Sequence, residues 1–217
     1  MKRCPWLIAL TALLSCVSLG RAAEVSGRVR AVGRHEGDAV TTIVYAESLT
    51  GPSPVRPGRY KHFQRNKSFT PRALAVPFGS TVDFVNEDEI YHNVFSLAPT
   101  PFDLGLYRAG ASKSRVFSEP ATYRVFCNIH PQMTALLAVV PSPYFALTEG
   151  GTFRLDVPAG TYRLTAFSER AAAVTAEVRV GSDGATAPII TLDESSFVPT
   201  DHTNKYGQPY PKDAYIK

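Results

Sequence analysis

The stretch at 127–133, Cys-Asn-Ile-His-Pro-Gln-Met, limits what this chain can fold into and bind more than any other part of the sequence. It places a thiol (Cys127), an imidazole (His130) and a thioether (Met133) in the spacing C-x2-H-x2-M. Each of these side chains alone is an ordinary core or surface residue. Together they form a soft donor set, which favours copper over zinc, calcium or magnesium.

A site of this kind needs one more strong ligand, and His92 in the run IYHNVF at 90–95 is the candidate. Two histidines, a cysteine and a weak axial methionine form the type 1 copper set, which carries single electrons. Cys127 has no disulfide partner, since Cys4 and Cys16 lie in the N-terminal leader. An unpaired thiol in an exported protein is open to oxidation unless a metal occupies it, which independently favours a ligand role.

The stretch from about 69 to 140 resembles a cupredoxin of the plastocyanin and amicyanin type. The resemblance is carried by FTP at 69–71, VPFGSTV at 76–82, FVN at 84–86, HNV at 92–94 and the loop at 127–133. The short C-x2-H-x2-M spacing is similar to that of amicyanin. The exported "methylamine utilization" cupredoxin-like proteins are similar in three runs: HNVFS at 92–96, FDLGLY at 102–107 and CNIHP at 127–131.

This resemblance implies one type 1 copper ion, held by His92, Cys127, His130 and Met133. It implies single-electron transfer in the periplasm. It also implies that Asn93 ties the two ligand-bearing segments together and hydrogen-bonds near the sulfur, as groups around a metal site do when they fix its ligands.

The resemblance further indicates where a partner docks. In cupredoxins with this loop, the histidine between the cysteine and the methionine has the ring edge that reaches the surface, which by position is His130. Ile129 and Pro131 flank it, and we expect them to form an apolar docking rim. A small apolar contact suits a transient redox partner. The methylamine-utilization setting implies a periplasmic dehydrogenase or c-type cytochrome.

Charge is unevenly distributed around these motifs. From 48 to 82 there is no acidic residue but six basic ones, and the Gly and Pro residues at 51–58 prevent regular structure there. This stretch is either a basic docking loop or a solvated connector, and the connector is favoured. The acidic run at 87–89, just before His92, either places negative charge near the site or forms a solvated turn.

The alternation of apolar and polar residues along the chain predicts short β-strands. In 122–127, the alternate residues Tyr123, Val125 and Cys127 share one face, so the thiol points where the core residues point. Strands are expected in the copper-binding part at 74–76, 81–86, 94–97, 114–117, 122–127 and 135–140. No stretch has a helical period over ten residues, which predicts an all-β chain with many short strands. The resemblances imply that these strands form a cupredoxin Greek-key β-sandwich plus a second small β-sandwich.

The segments at 25–50 and 142–194 resemble the two halves of a carboxypeptidase-regulatory-like β-sandwich. The runs that carry this resemblance are VSGRV at 25–29, AVTTIVY at 39–45, FALTEGGTFRL at 145–155 and VPAGTYRL at 157–164. We therefore predict that the cupredoxin at 66–141 is inserted into this sandwich, because closing a long loop costs free energy only logarithmically with its length. The alternative is two consecutive domains, with 25–47 supplying the first cupredoxin strands.

Both ends of the chain have distinct signals. Residues 1–23 resemble an export signal, with two basic residues, an apolar run too short to span a bilayer, and small residues that allow cleavage after position 20, 22 or 23. No transmembrane span is expected in the mature chain. The run LLSC at 13–16 also resembles a lipoprotein box, although an unlipidated Cys16 is favoured. The tail at 195–217 is expected to lie extended over the surface, with His202 exposed.

Several function classes are disfavoured. The chain has 23 Lys and Arg against 19 Asp and Glu, a net charge of +4, and no nucleic-acid motif accompanies it. No nucleophile–base pair is suggested, and His35, His62 and His202 are too scattered for a second, catalytic copper, so an enzyme is not expected. The alternatives to electron transfer are a copper-delivery protein and a docking module with a vestigial copper site.

Overall fold

The computed structural model describes residues 22–33, 41–148, 150–198 and 202–210. In this part of the chain the regular elements are seventeen β-strands and no helix, which confirms the all-β prediction. Accordingly, none of the described residues belongs to a helix that is long and apolar enough to cross a membrane. The predicted leader, including Cys16, lies outside the described residues except for Ala22 and Ala23, which begin the first strand.

The strands follow one another with short connections throughout the chain. They are β1 (Ala22–Val32), β2 (Ile43–Ser48), β3 (Arg59–Arg65), β4 (Ser68–Thr70), β5 (Ala73–Pro77), β6 (Ser80–Asn86), β7 (His92–Ser96), β8 (Phe102–Tyr107), β9 (Ser112–Phe117), β10 (Ala121–Phe126), β11 (Thr134–Val140), β12 (Tyr144–Leu147), β13 (Thr152–Pro158), β14 (Gly160–Phe167), β15 (Val174–Val180), β16 (Ala185–Thr186) and β17 (Ile190–Asp193).

Strands from both ends of the chain, β1, β2 and β12–β17, form what we call the terminal sandwich. One sheet has the order β13-β1-β16, with β17 also paired to β1, and the other has the order β12-β2-β14-β15. Strict alternation builds its core: in β13, Phe153, Leu155 and Val157 are buried and the residues between them are exposed. Strands β1 and β2 thus pair with β13, β12 and β14, all of which follow residue 142.

The strands between these two groups, β3–β11, form what we call the central sandwich. Its sheets have the orders β5-β11-β10-β7-β8 and β4-β3-β6-β9. Aromatic rings fill the space between them: Phe102, Phe117 and Tyr123 meet edge to face, with ring centroids 5.1 to 6.0 Å apart. Edge-to-face contacts add to the stabilisation from burying these large side chains.

Strand β3 corrects the expectation of a connector before residue 66. It pairs in parallel with β6 over Arg59–Gln64, so the central sandwich begins at Arg59. Its inward positions are polar: His62 and Gln64 are fully buried. Three basic residues of the supposed docking stretch are held in ion pairs, namely Arg59 with Asp83, Arg65 with Glu87 and Arg72 with Glu169.

Asp83 is the buried end of one of these pairs. Its carboxylate accepts two hydrogen bonds of 2.7 Å from the Arg59 guanidinium and one of 2.5 Å from the Ser114 hydroxyl. Burial alone would raise the pKa of Asp83, but the hydrogen bonds from Ser114 and Arg59 outweigh it and lower that pKa. The carboxylate is therefore charged and satisfied in the folded protein.

An apolar junction joins the two sandwiches. Along β11, Leu137 and Val139 face the central core, whereas Leu136, Ala138 and Val140 face the other way, toward the terminal sandwich. The residues packed there from the terminal sandwich are Ile43, Tyr45, Phe145, Leu147 and Phe167. At the edge of the junction, Glu169 accepts from Arg72 at 3.1 Å and from Arg124 at 3.3 Å.

Candidate metal centre

Two neighbouring strands of the central sandwich bring the predicted ligands together. His92 is the first residue of β7, and Cys127 directly follows the last residue of β10. These strands are antiparallel neighbours, with Phe126 paired to Phe95. His130 and Met133 lie in the loop between β10 and β11. The pairing of these two strands therefore places His92 next to the loop, although the two are far apart in the sequence.

The donor atoms of three predicted ligands converge in the interior. The Nδ1 atoms of His92 and His130 lie 3.1 Å apart. The sulfur of Cys127 lies 3.8 Å from Nδ1 of His92 and 3.7 Å from Nδ1 of His130. His92 and Cys127 are fully buried, and His130 keeps only 6% of its surface exposed. A buried thiol and two imidazole nitrogens thus point at one place.

These separations fit a shared metal ion. An ion with bonds of about 2.0 Å to imidazole nitrogen and about 2.3 Å to thiolate sulfur can contact all three atoms at once. The Nε2 atom of His92 lies 2.7 Å from an Asp88 carboxylate oxygen, which can only accept, so Nε2 donates its proton there and Nδ1 is the ring nitrogen that faces the other two donors. This nitrogen and sulfur donor set suits copper.

Met133 completes the loop that carries two of these donors. It is fully buried in the central core. Its N–H donates to the carbonyl of His130 at 2.9 Å, and its carbonyl accepts from the N–H of Cys127 at 3.2 Å. The loop is therefore closed by its own backbone, with Cys127 and Met133 held side by side.

Burial sets the protonation of the loop donors. It lowers the pKa of His130 to about 4, with His92 and Lys67 contributing in the same direction and Asp88 opposing. His130 is thus neutral at ordinary pH and available as a ligand. Burial raises the pKa of the Cys127 thiol, against the effect of nearby backbone N–H groups. Metal binding must therefore displace the thiol proton, which makes it pH-dependent.

Asp88 is a functional residue whose role the sequence left open. Its carboxylate bonds His92 and accepts from the backbone N–H groups of Asn66 at 2.5 Å and Lys67 at 2.8 Å. Asn66 and Lys67 both have positive φ, 54° and 52°, in the tight turn between β3 and β4. That turn aims two amides at Asp88, which in turn orients His92. Its signal in the sequence is a carboxylate four residues before the first ligand.

Asn93 lies between the two segments that carry the predicted ligands. Its Oδ1 accepts from the backbone N–H of Asn128 at 3.3 Å, and its Nδ2 donates to Asp103 at 2.6 Å. Its carbonyl accepts from the side chain of Gln64 at 3.3 Å. Asn93 directly follows His92 and Asn128 directly follows Cys127. The bond from the Asn128 N–H to Asn93 Oδ1 therefore links the two segments next to both ligands.

The tail departs from its expected exposure. His202 is half-buried: its ring stacks on Phe126, with centroids 4.3 Å apart, and its Nε2 lies 2.5 Å from the Pro131 carbonyl. The described part of the tail at 202–210 therefore lies on the ligand loop itself. Of the two predicted docking residues, Ile129 is half-buried against the central core and Pro131 is exposed.

Comparison with known proteins gives only distant similarity. No family model and no curated protein matches the chain. Among solved structures, it is similar to a Cu-containing nitrite reductase from Thermus scotoductus SA-01 (27% identity, 43% of this chain and 25% of that one, TM-score 0.37). It thus spans about a quarter of that enzyme's length. It is also similar to a purple cupredoxin from Nitrosopumilus maritimus (23% identity, 37% and 99%, TM-score 0.35). A third similar structure is a Cu(I) amicyanin variant (23% identity, 44% and 99%, TM-score 0.36).

Proposed function

We propose that this protein is an exported type 1 copper protein that carries single electrons between other redox proteins. The observation that carries the proposal is the convergence of the Cys127 sulfur and two imidazole Nδ1 atoms, 3.1 to 3.8 Å apart, in the buried core. His92, Cys127 and His130 would hold one copper ion, with Met133 as the weak axial donor. Such a set favours electron transfer over substrate binding, because it encloses the metal and leaves no open position.

The chain's own residues suit this chemistry in three ways. Copper bound there supplies the exchange of one electron between its Cu(II) and Cu(I) forms. His130 stays neutral at ordinary pH, and a neutral imidazole suits both oxidation states. Asp88 and Asn93 hold the ligand-bearing segments, so the ligands need to move little when the charge changes. Burial of all the donors excludes water from the site.

That burial also separates this proposal from copper delivery. A delivery protein exchanges its ion with a partner, which requires donors that the partner can reach. His92, Cys127 and Met133 are fully buried, and His130 is nearly so. Slow release of copper is therefore expected, which favours electron transfer over copper delivery as the function.

We place the contact with the redox partner at the apolar rim formed by Ile129 and Pro131, next to His130. The partner would be a periplasmic dehydrogenase or c-type cytochrome. Long-range steering by the basic stretch is expected to be reduced, because three of its six basic residues, Arg59, Arg65 and Arg72, are paired with acidic neighbours. Any steering by the remaining charges should fade as salt is added.

Export to the periplasm rests on the leader. Ala22 and Ala23 in β1 are paired with Pro158 and Val157 in β13, respectively, and Ala23 is buried. Cleavage after position 20 would leave β1 whole, whereas cleavage after 23 would remove two paired residues. We therefore favour the earlier cleavage site, which N-terminal sequencing of the secreted protein would identify.

Copper loading tests the proposed function directly. The purified mature protein with one equivalent of Cu(II) should develop an intense visible charge-transfer band and a narrow copper hyperfine splitting. Cys127→Ser should abolish the band, because the thiolate is its source. As a matched control, Ser96→Ala changes another buried residue of the same sheet and should keep it. A colourless wild-type protein after stoichiometric loading would end the type 1 proposal.

Electron self-exchange between copies of the protein tests the docking rim without a known partner. Pro131→Asp places a charge beside His130 and should slow self-exchange, as measured by NMR line broadening in mixtures of oxidised and reduced protein. Pro54→Asp, at an exposed position of the linker before β3, is the control. An unchanged rate in Pro131→Asp, with a normal copper spectrum, would show that electrons leave elsewhere.

A further inference from the structure

The segment at 202–210, which we call the strap, lies against the ligand loop at 127–133 although about seventy residues separate them in the chain. Its contacts fall on three successive parts of the loop. Tyr210 donates its hydroxyl to the carbonyl of Cys127 at 2.9 Å. The N–H of Lys205 donates to Oδ1 of Asn128 at 2.9 Å. His202 bonds the carbonyl of Pro131.

Lys205 closes a ring of four hydrogen-bonded residues around the ligand-bearing segments. Its Nζ bonds Asp103 at 2.7 Å, Asp103 accepts from Asn93, Asn93 accepts from the N–H of Asn128, and Asn128 accepts from the N–H of Lys205. Asn93 is almost fully buried, and the Lys205 side chain is 23% exposed. Each member uses directed polar atoms, so the ring fixes angles as well as distances.

The aromatic residues of the strap add a second, apolar contact. The His202 ring stacks on Phe126 and meets Tyr210 edge to face at 5.1 Å. Phe126 is the last residue of β10 and directly precedes Cys127. The strap therefore touches the residue before the thiol, the carbonyl of the thiol residue and the residue after it.

We propose that the strap is a built-in part of the metal centre, in which Lys205, His202 and Tyr210 are positioning residues that hold the loop at 127–133 in its metal-binding conformation. The role given to the strap rests on the proposed copper function. Its position against the loop rests on the contacts described above. A strap that merely covered apolar surface would need only the His202–Phe126 contact. The three polar bonds instead all end on loop backbone or on Asn128, next to ligands.

The geometry is tested first in the metal-free protein, by amide hydrogen exchange of the loop. The full-length variant His202→Ala/Lys205→Met/Tyr210→Phe should exchange the N–H groups of Asn128 and Met133 about fivefold or more faster than the wild type, the effect of losing one or more hydrogen bonds. Lys61→Met, an exposed lysine on β3, is the matched control and should leave them unchanged. Wild-type exchange rates in the triple variant would overturn the proposal.

Copper release tests the consequence for the metal. The triple variant should lose copper to a Cu(I) chelator about 10- to 100-fold faster, the usual effect of removing groups that orient ligands, and its reduction potential should shift. Release and potential equal to those of Lys61→Met would overturn the role in positioning ligands. Should the triple variant not fold, Lys205→Met and Tyr210→Phe decide in the same way. A wild-type protein that binds no copper defeats the proposed function, whereas the exchange experiment still judges the strap.

Discussion

Replacing Asp88 by Asn removes the charge of one carboxylate beside the candidate metal centre. Asp88 bonds the Nε2 atom of His92 at 2.7 Å. Burial raises its pKa, but hydrogen bonds from the Lys67 amide, His92 and the Asn66 amide outweigh this and hold the pKa below its usual range, so the group is charged at neutral pH. Asparagine keeps the shape and one oxygen that accepts from His92 and the Lys67 amide, removes the charge, and loses the hydrogen bond from the Asn66 amide.

The expected size of the effect follows from Coulomb's law. The carboxylate lies on the far side of the imidazole, roughly 7 Å from a metal bound at Nδ1. One unit charge at that distance stabilises the extra charge of Cu(II) by about 2 kcal/mol at an effective dielectric constant of 20 and by about 0.6 kcal/mol at 80. Losing it destabilises Cu(II) relative to Cu(I), so the reduction potential should rise by about 25 to 100 mV.

Cyclic voltammetry of the copper-loaded variant at neutral pH measures this shift. Glu89→Gln is the matched control, because it removes an exposed carboxylate next to Asp88 in the chain that does not contact His92. Its potential should move much less. A potential that is unchanged or lower in Asp88→Asn, with an intact visible band, would refute the assignment of Asp88 as a charged neighbour of the metal.

Further predictions concern the axial donor, the junction and a buried carboxylate. Met133→Leu should keep the colour and raise the reduction potential, because a lost weak donor destabilises Cu(II) more than Cu(I); an unchanged potential would show that Met133 does not coordinate. Leu136→Ala at the apolar junction should lower the free energy of unfolding in urea by about 2 to 5 kcal/mol. Glu169→Gln, whose arginine partners are largely exposed, should cost about 1 kcal/mol or less; a reversed order would show that ion pairs hold the junction. Because the pKa of Asp83 is lowered on folding, its stabilising effect is present above the unfolded pKa of about 3.9 and is lost as the pH falls through the folded value. Asp83→Asn should therefore destabilise most near neutral pH and least below about pH 4; equal destabilisation at both pH values would contradict this.

The residues of the candidate metal site could be predicted because their chemistry is local. Cys127, His130 and Met133 lie within one short loop, and the alternation of Tyr123, Val125 and Cys127 already aims the thiol at the core. His92 followed from the need for one more strong ligand. The structure brings the donor atoms of His92, Cys127 and His130 together and buries Met133 beside them.

Other features escaped prediction because their cause lies far away in the chain. In β3, the buried face consists of His62 and Gln64, so the usual alternation of apolar and polar residues is absent and the sequence pattern there predicts a connector instead of a strand. The position of His202 depends on its contact with Phe126, the last residue of β10, which lies more than seventy residues earlier in the chain. No local sequence pattern encodes such a contact. Asp88 gained its role only from the turn at Asn66 and Lys67.

The pairing of the first two strands with strands near the end of the chain has a consequence for the order of folding. Ala46 in β2 pairs with Tyr144 in β12, and Glu24 in β1 pairs with Asp156 in β13. During synthesis β1 and β2 are made first and their partner strands last. Until those partners are made, the backbone N–H and C=O groups of β1 and β2 have no strand to pair with. Once the central sandwich folds, it draws its two ends together and shortens the loop of roughly a hundred residues between β2 and β12 to a short span. We therefore expect the terminal sandwich to close after the central sandwich has folded, and a variant that slows the folding of the central sandwich should expose the early strands to aggregation.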